Sequence, residues 1–182
     1  MAVLIEVISV VIRADRLLDV YPGGWDAFKN DVPNATMCAD NELVRVGFMT
    51  PQDVEGYIEK LYGLGLTYLE NGTAQDMVVI DQMRGPAVPC TWAEFGHINL
   101  DNDPKKRVAV CRLKGSSQMV LARPDGWEYE QSLSASYGYV PIEHVEKSLT
   151  FLRHEEGLDV YRNDMTGEEV YIARSDSKKG QS

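Results

Sequence analysis

Gly47-Phe48-Met49-Thr50-Pro51 opens the unit that decides the fold. A strand ends in glycine and an aromatic, proline starts an amphipathic helix carrying Val54 and Leu61, and Gly65-Leu66 leads to a return strand at Tyr68. A second stretch follows the same plan, from Gly138-Tyr139-Val140-Pro141 through Val145 and Leu152 to Gly157-Leu158 and Tyr161. In the first unit Thr50 stands at the cap, Pro51 takes the first helical position and Asp53 supplies a third-position carboxylate, while Val54, Tyr57, Ile58 and Leu61 fall at i, i+3, i+4 and i+7. Gly63 or Gly65 closes this helix. The second unit predicts a helix over 141–154 with Ile142, Val145, Leu149 and Leu152 inward. The spacings in the two units differ by one residue, so shared helix starters and terminators account for the likeness as well as duplication does.

Working outward, the apolar run over 3–12 reads as one buried strand, since it carries Glu6, lacks a basic leader and is too short to span a bilayer. A helical turn over 15–21 is stopped by Pro22-Gly23-Gly24, and a short helix over 25–32 follows with Trp25, Phe28 and Val32 on one face. Asp40-Asn41-Glu42 reads as the loop of a hairpin between 36–39 and 43–48. Val44, Val46 and Phe48 there alternate with Leu43 and Arg45, which predicts one core face and one partly covered face. Strands are expected over 66–69 and 77–80, the first followed by an Asn71-Gly72 turn and the second apolar enough to lie inside a sheet. Residues 81–100 hold few regular signals. Antiparallel strands are then expected over 107–113, 118–122 and 127–130, and a pair over 160–162 and 170–173.

Strand-helix-strand units with hairpins between them predict an α+β fold: a mainly antiparallel sheet with helices packed on one face, in up to two units of ferredoxin-like size. The 182 residues, 44 % of them hydrophobic, suffice for one globular domain over 1–174, or for two closely packed halves at about 1–86 and 87–174. A polar disordered tail is expected over 175–182.

The net charge of −10 disfavours nucleic acid, which is bound through clustered Lys and Arg. Acidity is concentrated early, with 6 basic and 13 acidic residues over 1–90. The stretch 105–123 is the exception, holding six basic residues and no acid, and reads as a hairpin whose cations pair with acids elsewhere or, as the lesser alternative, as a small anion-binding edge. Three cysteines without paired spacing, Cys38, Cys90 and Cys111, read as reduced core thiols of a cytoplasmic protein. His97, His144 and His154 form no ligand motif, and no phosphate loop, dinucleotide fingerprint or nucleophile elbow is present, so neither a metal nor a cofactor is expected.

The residue set with the most polar chemistry lies after the apolar 77–80 run. Asp81 and Arg84 stand at a strand end, either as a ligand-facing pair or as an internal pair that pins the loop. Trp92, Glu94 and His97 follow near Cys90, and Tyr21 and Trp25 are candidate pocket walls. A Cys-His pair would need a base within hydrogen-bond reach and an orienting group, which this spacing does not impose. An apolar Val88-Pro89-Cys90 context favours an inert thiol.

Two functional readings stand side by side. One is a non-catalytic acidic protein that binds a basic protein partner in an inhibitor, immunity-type or adaptor role, with charge speeding encounter. The other is a small-molecule binder or an enzyme with a pocket around 81–97. A third possibility is a homodimer whose exposed strand edges or aromatic patches pair, and no reading involves a membrane.

Overall fold

The structure, a computed structural model, describes residues 2–116, 120–136, 149–155, 158–163 and 169–173. In chain order the elements are β1 (Ala2–Ile5), β2 (Ile8–Arg13), α1 (Ala14–Val20), α2 (Gly24–Asp31), β3 (Cys38–Ala39), β4 (Leu43–Phe48), α3 (Pro51–Gly63), β5 (Leu69–Glu70), β6 (Thr73–Ala74), β7 (Met77–Asp81) and β8 (Gly85–Pro86). There follow β9 (Ala93–Asn99), β10 (Arg107–Leu113), β11 (Leu121–Ala122), the one-turn α4 (Leu133–Ser136), β12 (Leu149–Glu155), β13 (Leu158–Asn163) and β14 (Glu169–Ala173). The class is α+β with mainly antiparallel sheets.

Three layers carry the first two thirds of the chain. A five-stranded sheet in the order β3-β4-β2-β7-β8 lies in the middle. On one side of it, Val10, Ile12, Val44, Val46 and Met77 pack with Leu17 of α1, Phe28 of α2 and Val54, Tyr57 and Leu61 of α3. On its other side, Val11, Leu43, Val78 and Ile80 pack with Val3, Leu4, Val108 and Val110 of a four-stranded sheet ordered β11-β1-β10-β9. The period-2 alternation of β2 and β4 therefore feeds two cores rather than one core and solvent. That corrects the expectation of a partly covered face, because Leu43 and Arg45 are as buried as Val44 and Val46. Strands β12, β13 and β14 form an antiparallel three-stranded sheet.

α3 forms as its spacing predicts. Thr50 Oγ1 accepts the Asp53 N–H at 3.2 Å, Pro51 opens the helix, and Val54, Tyr57 and Leu61 are buried. Replacing Thr50 by Ala is expected to lower stability by about 1 kcal/mol. An unchanged urea midpoint would show that the cap contributes nothing.

Several expectations are corrected. The 3–12 strand is two strands in two sheets, broken at Glu6-Val7, where Val7 takes a φ of 55°. Residues 66–68 are not a strand, and only Leu69–Glu70 pairs with Thr73–Ala74 across Asn71-Gly72. The loop expected over 81–100 contains β8 and the seven-residue β9. β11 pairs parallel with β1 rather than antiparallel with β10. The strand expected over 127–130 is replaced by a 3-10 turn at Tyr129–Gln131. The helix expected over 141–154 is replaced at its C-terminal end by β12, and its remainder lies outside the described residues, as does the 175–182 tail. The 149–155 segment of the second unit, expected as the end of a helix, instead pairs edge to edge with β13.

Candidate functional site

A buried polar network lies where β1 passes into β2. A β-branched residue at positive φ is a steric outlier, costing of order 1–3 kcal/mol unless its surroundings hold it. Val7 is held at both backbone groups: its N–H donates to Gln82 Oε1 and its carbonyl accepts the Gln82 N–H, each at 2.8 Å. The kink turns Glu6 inward, and it is only 5 % exposed.

Arg45 points from β4 into the layer between the two sheets, where it is 2 % exposed. Its Nε donates to Ser9 Oγ at 2.9 Å, Nη1 to the Thr36 carbonyl at 2.8 Å and Nη2 to the Glu6 carbonyl at 3.0 Å. Burial pushes the guanidinium's pKa down, partly offset by the neighbouring Cys38 and Glu6. Buried charges persist only where hydrogen bonds satisfy them, and these three acceptors do so. Gly47 makes room for the group, because a Cβ there would come within 2.5 Å of Nη2. Thr36 and Asn34 complete the lining by bonding the Gly47 backbone.

A cleft of about 450 Å³ opens over this network. Glu6 and Arg45 are its buried charged groups, Phe48, Met49 and Trp127 supply apolar surface, and the exposed Asp53 and Asp125 stand at its rim. Among the described residues neither rim carboxylate has an ion pair or a side-chain hydrogen bond, whereas Arg45 is engaged internally. The cleft thus offers unpaired negative charge beside apolar surface.

None of the seven residues singled out from the sequence lines this cleft. Asp81 Oδ1 accepts the Met83 and Arg84 N–H groups at 2.8 and 3.0 Å, closing a turn. Arg84's charge acts on that carboxylate, but burial dominates and pushes Asp81 up to about 6. Trp92 donates to the Ala74 carbonyl at 3.1 Å and lies under Arg13. Glu94 pairs with Arg112, its direct cross-strand partner, at 2.9 Å. His97 is three residues further along β9 and faces the opposite side of that strand, edge-on to Phe95. Glu94 and His97 therefore lie on opposite faces of β9. Tyr21 and Trp25 both pack on Phe28, and Tyr21 donates to Asp31 at 2.7 Å. The basic stretch behaves as expected at Arg112 and at Lys106, which pairs with Glu130 at 3.1 Å. Cys38 and Cys111 are buried, Cys90 is half-buried, and all three are free thiols.

Glu6, Arg45, Asp53, Asp125 and Trp127 escaped selection from the sequence. The available signal was a charge inside an apolar strand, at Glu6 and again at Arg45, since such a charge must be paired or lost.

The buried Asp81 and the half-buried His97 set opposite pH dependences. Burial, aided by the Arg107 charge, lowers His97 from 6.5 to about 4, so its contribution to stability is lost as pH falls through that window. Asp81 is raised from 3.8 to about 6, so the folded state holds its proton more tightly and stability falls as pH rises from about 4 to 6. His97→Gln is expected to lose less of its urea midpoint than the parent between pH 6.5 and 4.5. An equal loss would show that His97 charges freely within the fold.

Among the described residues, no group of three or more His, Cys, Asp or Glu is placed to hold a metal ion, and no helix is long and apolar enough to cross a membrane. Comparison with known proteins finds no matching family model, no similar curated protein and no similar solved structure.

Proposed function

We propose that this chain acts by binding a basic protein partner, in an inhibitor, immunity-type or adaptor role, and that the cleft over Glu6 and Arg45 is its docking surface. The observation that carries this reading is the pair of unpaired carboxylates, Asp53 and Asp125, beside the exposed apolar surface of Met49 and the half-buried Trp127. A lysine or arginine side chain has the matching chemistry, a cationic head on an apolar stem. The net charge of −10 adds long-range attraction, which raises the rate of encounter and sets specificity. The polar residues around 81–97 support the non-catalytic side of the reading, because Glu94, Trp92 and Asp81 each have an internal structural partner.

The test is affinity capture from the native host's lysate at low and high salt, run beside the Asp53→Asn/Asp125→Asn double variant. A basic protein held at low salt, released at high salt and bound about tenfold more weakly by the variant is the expected result. Equal recovery by parent and variant would remove the cleft from the interface.

A volume of about 450 Å³ also falls within the range of small-molecule sites, which supports the second reading, a small-molecule binder, at this cleft. Native mass spectrometry of the purified protein separates the two. A co-purified ligand that Asp53→Asn/Asp125→Asn loses would shift the assignment to the small molecule.

A further inference from the structure

One wall of the cleft is the segment 124–133, and the other comes from 34–36, the end of β4 and the start of α3. Glu6 touches both. Every donor to its carboxylate among the described residues comes from the first wall and the α4 turn that follows it: the Ser134 N–H at 2.7 Å and the Ser134 hydroxyl at 2.5 Å on Oε2, and Trp127 Nε1–H at 3.2 Å on Oε1. Its main-chain carbonyl accepts Arg45 from the second wall. The residue that joins the walls adjoins the strained Val7, and strain of this kind collects at working sites.

The other polar ties of the 124–134 segment to the rest of the chain are more exposed. Lys106 pairs with Glu130 at the surface, and the Tyr129 hydroxyl donates to the Lys105 carbonyl at 3.1 Å. Apolar packing adds to these ties, Leu133 on the helix-side core and the partly buried Trp127 and Tyr129 on the core between the sheets, but it is non-directional and does not fix the position of the wall as the carboxylate does. Exposed ties of this kind are individually weak, whereas a buried carboxylate with three donors is a strong, directional one.

We infer that Glu6 is a latch: its carboxylate holds the 124–134 wall against the β1–β2 junction and sets the shape of the cleft, and breaking it releases the wall while both sheets stay folded. Glu6 is thus a positioning residue. That the released wall alters partner binding rests on the docking function proposed above, whereas the latch itself does not.

Hydrogen exchange of the full chain, followed by mass spectrometry, tests the latch in Glu6→Gln. A glutamine has one acceptor oxygen, so either Ser134 or Trp127 is left facing an amide NH₂. Amides over 127–134 are expected to exchange about tenfold faster or more, with β2, β4 and β7 unchanged. Ser134→Ala, which removes one donor and keeps the carboxylate, should give a smaller change confined to the same amides, and it serves if Glu6→Gln does not fold. Parent-like protection at 127–134, or a loss spread evenly through both sheets, overturns the latch. The docking reading is tested separately with an oligolysine peptide at low salt. Weaker binding to Glu6→Gln and to Asp53→Asn/Asp125→Asn supports docking, and unchanged binding beside a released wall defeats docking while leaving the latch in place.

Discussion

Replacing Arg45 by Ala is expected to destabilise the protein by about 3–5 kcal/mol, because it leaves a cavity between the sheets and removes a donor from three acceptors, two of them buried and one part-buried. Those acceptors are the Glu6 and Thr36 carbonyls and Ser9 Oγ. Arg45→Met restores most of the lost volume and removes the cost of burying a charge, so its loss should be smaller, about 1–3 kcal/mol, set by the acceptors left unbonded. Gly47→Ala tests the same packing from below, since its Cβ would meet Nη2 at 2.5 Å. It should cost about 1–3 kcal/mol with Arg45 present and much less in the Arg45→Met background. Urea midpoints of the four proteins complete the cycle. Equal costs of Gly47→Ala in both backgrounds would show that Gly47 serves backbone geometry alone.

The elements legible from sequence are those fixed by neighbours in the chain. Thr50, Pro51 and the Val54, Tyr57, Leu61 spacing define α3 without reference to the rest of the molecule. Pro22-Gly23-Gly24 separates α1 from α2, and Asp40 closes its hairpin by accepting the Glu42 and Leu43 N–H groups at 2.7 Å. Elements that depend on distant partners were not legible. The apolar residues on both sides of Glu6-Val7 read as one strand, yet Val3 pairs with Cys111 and Ile8 with Phe48. β9 lacks a clean alternation, holds a glycine and is half-buried on both faces, so its strand character comes from its seven-residue pairing with β10. Leu149 and Leu152 suit a helix face by spacing, but pairing with β13 and a register shift between Phe151 and Arg153 make the segment a strand. Tertiary pairing overrides local pattern there.

The site was less legible than the fold for a related reason. A cluster close in sequence, from Asp81 to His97, draws attention, whereas the cleft collects residues from positions 6 to 133. Glu94 and Arg112 illustrate the difference. Eighteen residues apart, they meet because antiparallel register places them opposite one another. In isolation Glu94 resembles a catalytic acid, and in the sheet it is one half of a cross-strand ion pair.

Phe28→Ala should cost about 3–5 kcal/mol and decide the role of the aromatic cluster formed by α1 and α2. Phe28 is fully buried, meets Tyr21 edge-on with centroids 5.4 Å apart, and stacks with Trp25 at 5.6 Å. Deleting the ring removes both contacts and the apolar surface that seats α2 on the central sheet. Tyr21 belongs to the same unit. Burial and the bond to Asp31 push its hydroxyl up to about 12, so it stays a neutral donor at physiological pH. If Tyr21 and Trp25 instead lined a ligand pocket with Phe28 as a peripheral contact, the truncation would enlarge that pocket at a cost near 1 kcal/mol. The measured midpoint separates these outcomes by several kcal/mol, because a core aromatic cannot be removed without loss and a pocket wall can.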